Sequence, residues 1–170
     1  DTFGTKGYID ARVAPRRQPN VQTGTMDLRY DVIEGEQAKI EKVEIRGNTK
    51  TKDRVIRREL TVAPGEVFDM VKVKISKARL EGLDYFEKVE AVPEPTDIPS
   101  HRNLIISVAE KNTGNVQLGA GFSSIDSLVG YVEVSQSNFD LFNWPNFTGG
   151  GQKARLKIQA GTQRKDFEIT

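Results

Sequence analysis

Asn115–Phe139 reads NVQLGAGFSSIDSLVGYVEVSQSNF. Val116, Leu118, Ala120 and Phe122 fall on one side of an extended chain, and Gln117, Gly119, Gly121 and Ser123 on the other. Successive strand side chains point to opposite faces, so this is a strand with one apolar side. The pattern continues. Val132 and Val134 oppose Tyr131, Glu133, Ser135 and Ser137; Ala154, Leu156, Ile158 and Ala160 oppose Lys153, Arg155, Lys157 and Gln159; Phe167 and Ile169 begin a fourth segment. A wet-faced soluble sheet and a transmembrane barrel demand the same two-residue period. Alternation alone leaves both open.

Composition narrows the choice little. The chain has 170 residues, enough for one large domain or two small ones. It is 36% hydrophobic and 29% charged, with a net charge of +1, which gives no bulk attraction to nucleic acid or anionic surfaces. No apolar run is long enough for a transmembrane helix. Barrel strands are too short and mixed to register in bulk hydropathy. The absence of cysteine excludes disulfides and thiolate metal sites. No secretion signal opens the chain, and Asp1 is not an initiator, so a processed chain or an excerpt is expected.

Before the alternating tail, the chain repeats itself. Leu28-Arg29-Tyr30-Asp31-Val32-Ile33-Glu34 and Leu104-Ile105-Ile106-Ser107-Val108-Ala109-Glu110 both read Leu-x-apolar-x-Val-x-Glu. Upstream of each, Tyr8-Ile9-Asp10 and Tyr85-Phe86-Glu87 match, and each leads through an alternating segment to a proline. Two matches in the same order at nearly the same offset indicate a duplicated module. The first copy enters only at its closing hairpin, within 1–37, and the second is complete over 38–112.

The complete copy reads β-α-α-β-β. Ile40, Val43 and Ile45 lie in a strand that ends at the turn signal Gly47-Asn48. A helix is expected from Thr51 to Leu60, capped by Thr49 or Thr51, with Val55, Ile56 and Leu60 inward. Pro64-Gly65 ends it. Asp69 caps a second helix, with Phe68 and Val73 placed as a hydrophobic staple. Val71, Ile75 and Ala78 are expected to form the inward face of that helix, flanked by Leu80 and Leu83. Two strands follow, Phe86–Val92 and Leu104–Val108, joined by PEPTDIPSHRN. Leu104-Ile105-Ile106 is apolar at consecutive positions and suits a central strand. Phe86, Glu87, Lys88, Val89, Glu90, Ala91 and Val92 are partly charged and run into prolines, which suits an edge.

These segments carry a resemblance. Val43-Glu44-Ile45-Arg46-Gly47-Asn48, Gly65-Glu66-x-Phe68, Arg79-Leu80-x-x-Leu83-x-Tyr85-Phe86-x-x-Val89 and Val108-x-Glu110, in that order, resemble a POTRA domain. POTRA domains are the periplasmic repeats of the outer-membrane β-barrel assembly proteins, BamA and its relatives. Asp84 departs from the glycine many members place before the Tyr-Phe pair, but aspartate tolerates a left-handed backbone better than most residues. Gly114–Ser124, Gly130–Phe139 and Gly149-Gly150-Gly151 resemble the opening of the barrel, and the loop Asp140–Thr148 is longer and more aromatic than is usual there.

The fold class expected is therefore α+β. A three-stranded sheet with two helices is followed, over 113–170, by antiparallel strands of an incomplete transmembrane barrel. Four strands cannot close a barrel; about eight is the smallest bacterial size. The resemblance implies insertion of β-barrel proteins into the bacterial outer membrane, with the POTRA part in the periplasm. It implies unfolded outer-membrane protein clients, accessory outer-membrane lipoproteins and the lipid bilayer as partners, with no nucleic acid. Phe86–Val92 is the expected strand-pairing edge for client or partner. Val116, Leu118, Ala120, Phe122, Val132, Val134, Leu156 and Ile158 are the expected lipid face. Phe139, Phe142, Trp144 and Phe147 are the expected membrane-interface aromatics, with the turn Ser124–Ser127 outside the membrane. A two-partner-secretion translocator and a soluble periplasmic scaffold are the alternatives.

The residues offer no case for an enzyme, a cofactor or a metal. His101 stands alone in a Pro-rich loop, which argues against a histidine triad or metal site. Gly149-Gly150-Gly151 lacks the Lys-Ser/Thr of a phosphate loop and precedes a strand, so a turn or barrel-edge flexibility is expected there. Lys50, Lys52, Arg54, Arg57 and Arg58 make a basic helix face. Asp53 and Glu59 interrupt it, so a solvated face is expected ahead of an acidic partner or nucleic acid.

Overall fold

The protein is described by a computed structural model covering residues 2–20, 22, 24–123, 127–161 and 165–170. The chain forms two compact units, Asp1–Glu44 with Leu60–Ala78 and Glu90–Ile106, and Ile45–Glu59 with Arg79–Val89 and Ser107–Thr170. The elements are α1 (Thr2–Thr5), β1 (Arg12–Asn20), β2 (Thr25–Ile33), β3 (Lys39–Arg46), α2 (Asp53–Arg57), α3 (Met70–Gly82), β4 (Phe86–Pro95), β5 (His101–Glu110), β6 (Gly114–Ser123), β7 (Ser127–Phe139), β8 (Gln152–Gly161) and β9 (Lys165–Ile169). They make an α+β fold with three sheets, β1-β2, β3-β5-β4 and β6-β7-β8-β9.

In the first unit, β1 and β2 pair antiparallel from Arg12↔Ile33 to Asn20↔Thr25. β3 starts against the segment before α3: Ile40 N–H donates to Glu66 O (2.8 Å), Gly65 N–H to Ile40 O (2.7 Å) and Phe68 N–H to Ala38 O (2.8 Å). This places Phe68 fully inside. The Asp69 carboxylate then accepts from Val71 N–H (2.8 Å) and Lys72 N–H (3.2 Å), satisfying two of the first-turn donors of α3.

That start sets the phase of α3. With Asp69 as the cap, Val73 is the fourth helical residue and lies on the Phe68 side. Val73, Ser76 and Leu80 are the buried positions, spaced three and four apart. The expected inward face of Val71, Ile75 and Ala78 is therefore corrected, and Ile75 is 43% exposed. Ser76 hides the true stripe in the sequence. It is buried because its hydroxyl accepts from Thr61 N–H (2.9 Å) and donates to Lys72 O (2.9 Å).

The first helix is also shorter than expected. It covers only Asp53–Arg57, burying Val55 and Ile56. Neither threonine caps it; Lys52 occupies the cap position and makes no side-chain cap hydrogen bond. β5 is the central strand, buried at Leu104, Ile105, Ile106 and Val108, so both its faces are covered. β4 and β5 each run beyond the expected ends, to Pro95 and from His101. At the exit of α3, Asp84 takes φ 62° and receives an ion pair from Lys111 (2.5 Å).

Leu80→Ala should destabilise the protein by about 2–5 kcal/mol through lost burial and a cavity. Ile75→Ala should cost no more than roughly 0.5 kcal/mol, as an exposed position does. Urea-midpoint shifts of the two variants measure the difference.

Candidate functional site

The first candidate surface is an edge. β4 lies at one side of the three-stranded sheet and pairs with β5. Within it Phe86 and Val89 are buried, Glu87, Lys88, Glu90 and Val92 are exposed, and Ala91 is half-buried. The two buried residues are three apart, so strict alternation is broken in the first turn of the strand and resumes after Val89.

The second surface is the four-stranded sheet. Its register aligns Val116, Val134, Leu156 and Ile169 in one row and Leu118, Val132, Ile158 and Phe167 in the next. Ala120, Gly130 and Ala160 follow, and Phe122 stands opposite Leu128. This face is exposed: Leu118 by 75% and Phe122 by 89%, with Val116, Val132, Val134 and Ile158 also open and Leu156 half-buried. The opposite face carries the row Gln117, Glu133, Lys157 and Glu168. Directly opposed unlike charges stabilise such a face, and Arg155 adds an ion pair to Glu133 (3.2 Å).

Gly119 is part of that polar face. A β-carbon there would stand 2.2 Å from the ring of Tyr131, its cross-strand partner. The Lys157 ammonium lies 5.3 Å from the centre of the same ring. Gly119 is a seat for an aromatic ring that spans β6 and β7.

The third feature joins the segment after β3 to the connection between β7 and β8, entirely within the second unit. The Glu110 carboxylate at the end of β5 accepts from Thr49 Oγ1 (2.8 Å), Lys50 N–H (2.8 Å) and Thr51 N–H (2.6 Å). Burial pushes this carboxyl up, but the donors of Thr51, Thr49 and Lys50 outweigh it and hold the group below its ordinary value. Thr51, thus placed, is buried, and its hydroxyl accepts from Asn138 Nδ2 (2.9 Å). Asn138 Oδ1 accepts from Gly151 N–H (2.8 Å), and Asn138 O from Gly149 N–H (2.8 Å). Lys52 N–H donates to Gly149 O (3.0 Å), and its ammonium pairs with the buried Asp140. The hydrogen bond from Lys52 holds the Asp140 carboxyl below its ordinary value.

The glycine triplet follows from this packing. Gly149 has φ 108°, and a β-carbon on it would stand 2.0 Å from Lys50 O. One on Gly151 would meet Arg58 Nη2 at 2.8 Å and Val55 Cγ1 at 2.9 Å. The triplet is therefore a turn, as expected, and one packed closely against the α2 segment. The basic face is solvent-exposed at Lys50, Lys52, Arg54, Arg57 and Arg58, as expected. Lys52 and Arg58 reach Asp140 and Gly151 O (3.4 Å), while Arg57 pairs with Asp53 (2.5 Å). Asn138 was the residue sequence reasoning missed. It follows Ser135, Gln136 and Ser137, so nothing in the local pattern singles it out from its polar neighbours.

Of the four aromatics, Phe139 stacks on Phe147 (6.1 Å, 16°) and Trp144 meets Phe147 edge-on (5.3 Å). Phe142 is 90% and Trp144 78% exposed. The expected external turn Ser124–Ser127 falls on 124–126, outside the described residues. His101 opens β5, its Nδ1 donating to Pro99 O (3.0 Å).

Together these features define a class: a POTRA-type module that continues into antiparallel strands with one exposed apolar face. Residues 38–111 match the POTRA family, described as a surface antigen variable number repeat. The chain is 35% identical over 157 residues to the outer membrane protein assembly factor BamA of Neisseria meningitidis serogroup B, covering 91% of this chain and 19% of that protein. It is 32% identical over 124 residues to BamA of Nitratidesulfovibrio vulgaris, covering 73% of this chain and 16% of that one. The crystal structure of BamA from Haemophilus ducreyi lacking POTRA domains 1–3 is similar with a TM-score of 0.84 and 26% identity, over 98% of this chain and 30% of that chain. The chain belongs to the BamA-like outer-membrane β-barrel assembly proteins. It spans about a fifth of the length of the curated relatives it matches.

Both perturbed carboxylates have lowered pKa values. Their contribution is complete above the ordinary carboxylate range and is lost as pH falls through the lowered values. After correction for intrinsic exchange, the amides of Lys50 and Thr51 should stay protected through the ordinary glutamate range and open only in stronger acid. In Glu110→Gln, protection should be weaker and insensitive to acid. Hydrogen exchange followed by mass spectrometry checks both.

Proposed function

We propose that this chain is the membrane-proximal part of an outer-membrane protein assembly factor that guides unfolded β-barrel clients and pairs with them strand to strand. The observation that carries this is the pair of sheet edges, β4 in the module and β6 at the start of the four-stranded sheet. An edge strand presents main-chain donors and acceptors in a row, so it binds extended chains with little regard to their side chains. Such recognition suits clients that share strand structure but not sequence.

In this reading residues 38–112 lie in the periplasm, residues 1–37 close the preceding module and residues 113–170 are the first strands of the barrel. The exposed apolar rows of β6–β9 face lipid, and the charged rows face the lumen, as the alternation of a transmembrane barrel requires. The aromatic loop Asp140–Thr148 sits at the periplasmic membrane interface, where an aromatic ring meets both hydrocarbon and water. Client capture at β4 precedes pairing at β6, and the Tyr131 ring on Gly119 keeps β6 attached to β7 while its outer edge exchanges partners. The work is noncovalent strand exchange and uses no catalytic group or cofactor. Accessory outer-membrane lipoproteins are further partners of the module.

The test places proline at exposed Val92, since Val89 is buried and its loss would damage the core. In the full-length protein, Val92→Pro should reduce crosslinking of clients to β4 several-fold while protease resistance of the module is unchanged. Undiminished crosslinking in a folded variant contradicts the reading.

A further inference from the structure

The second unit holds a cavity of about 600 Å³, a volume typical of small-ligand sites. We infer that it binds the headgroup of an anionic glycerophospholipid at the periplasmic foot of the apolar strand face. The inference rests on the lipid-facing reading of β6–β9.

Position is the first argument. Gly114 and Gln136, which line the cavity, are cross-strand partners. They share a face with Val116 and Val134, two residues on, and with Leu118 and Val132 beyond them. The polar cavity is therefore the next row down from the exposed apolar rows. An amphiphile with its headgroup at Gly114–Gln136 lays its chains along Val116, Val134, Leu118 and Val132 without leaving that face.

Chemistry is the second. Among the described residues the lining has two lysines, Lys50 and Lys111, and no carboxylate; the rest is mostly amide and hydroxyl groups, including Asn143, Asn146 and Thr148. Lys111 is already paired with Asp84 (2.5 Å). Lys50 is exposed, with its backbone fixed by Glu110, which leaves it as the principal cation for a phosphodiester. The amides supply donors to the remaining phosphate and glycerol oxygens.

The third argument is the neighbouring loop. Asn143, Asn146 and Thr148 belong to the same connection that exposes Phe142 and Trp144. Aromatic side chains at headgroup depth beside a cationic polar cavity are the arrangement an interfacial lipid site needs. A free phosphate ion needs neither the apolar rows nor the exposed rings, which selects the lipid as the source of the anion.

Native mass spectrometry of the full-length protein, released from micelles containing equal amounts of phosphatidylglycerol and phosphatidylcholine, tests this. Phosphatidylglycerol should be retained over phosphatidylcholine, and Lys50→Gln should lower its occupancy about fivefold, the effect of one lysine at an anionic surface. Glycerol 3-phosphate at the same concentration should not displace it. Equal retention of the two lipids, unchanged phosphatidylglycerol occupancy in Lys50→Gln, or displacement by glycerol 3-phosphate overturns the inference. Resistance of the wild-type protein to urea extraction from bilayers reads the lipid-facing sheet separately. A protein that stays integrated but shows no lipid preference lacks the headgroup site alone, and one that washes off fails at the underlying reading.

Discussion

The side-chain amide of Asn138 holds the four-stranded sheet to its starting point. It donates to the Thr51 hydroxyl and accepts from Gly151 N–H, so both ends of the amide are used. Asn138 is buried, and an amide left without either partner there costs roughly 1–3 kcal/mol. The strands on either side of this contact must therefore start at fixed residues. In a β-sheet a slip of one residue sends every side chain to the opposite face. The Asn138 bridge, with Gly149 pressed against Lys50 O, thereby fixes the parity that puts Leu118 and Val132 on one face and Gln117 and Glu133 on the other.

The same contact depends on Glu110. Its carboxylate gathers Thr49, Lys50 and Thr51, and so presents the Thr51 hydroxyl to Asn138. That use of both threonines explains why neither caps α2. The end of the repeated module and the start of the sheet are thus joined by one chain of hydrogen bonds from Glu110 through Thr51 to Asn138 and Gly151. This linkage ties the start of the four-stranded sheet to the Thr49–Thr51 segment.

Much of this was legible in the sequence because it depends on period and local chemistry. The two-residue alternation gave the strands and their apolar face, Asp69 gave the cap of α3, and consecutive apolar residues at Leu104–Ile106 gave the central strand. Phase and tertiary contact were not legible. The inward stripe of α3 runs through Ser76, a polar residue buried only because Thr61 N–H meets its hydroxyl, so a hydropathy pattern selects Ile75 instead. The glycine triplet and Gly119 look like flexible points along the chain. Their roles come from atoms far away in sequence, the carbonyl of Lys50 and the ring of Tyr131. The basic run at Lys50–Arg58 is solvated as its pattern suggests, but its contacts with Asp140 and Gly151 come from residues far along the chain.

The central claim is that the row of Leu118 faces hydrocarbon and the row of Gln117 does not. Introducing arginine at each position in the full-length protein, and measuring its folding free energy into lipid bilayers, tests that claim directly. Leu118→Arg should cost about 2–4 kcal/mol, the penalty of a cation on the lipid face near the bilayer midplane, and Gln117→Arg should cost close to nothing. Equal costs at the two positions, or a larger cost at Gln117, would contradict the assignment of the faces.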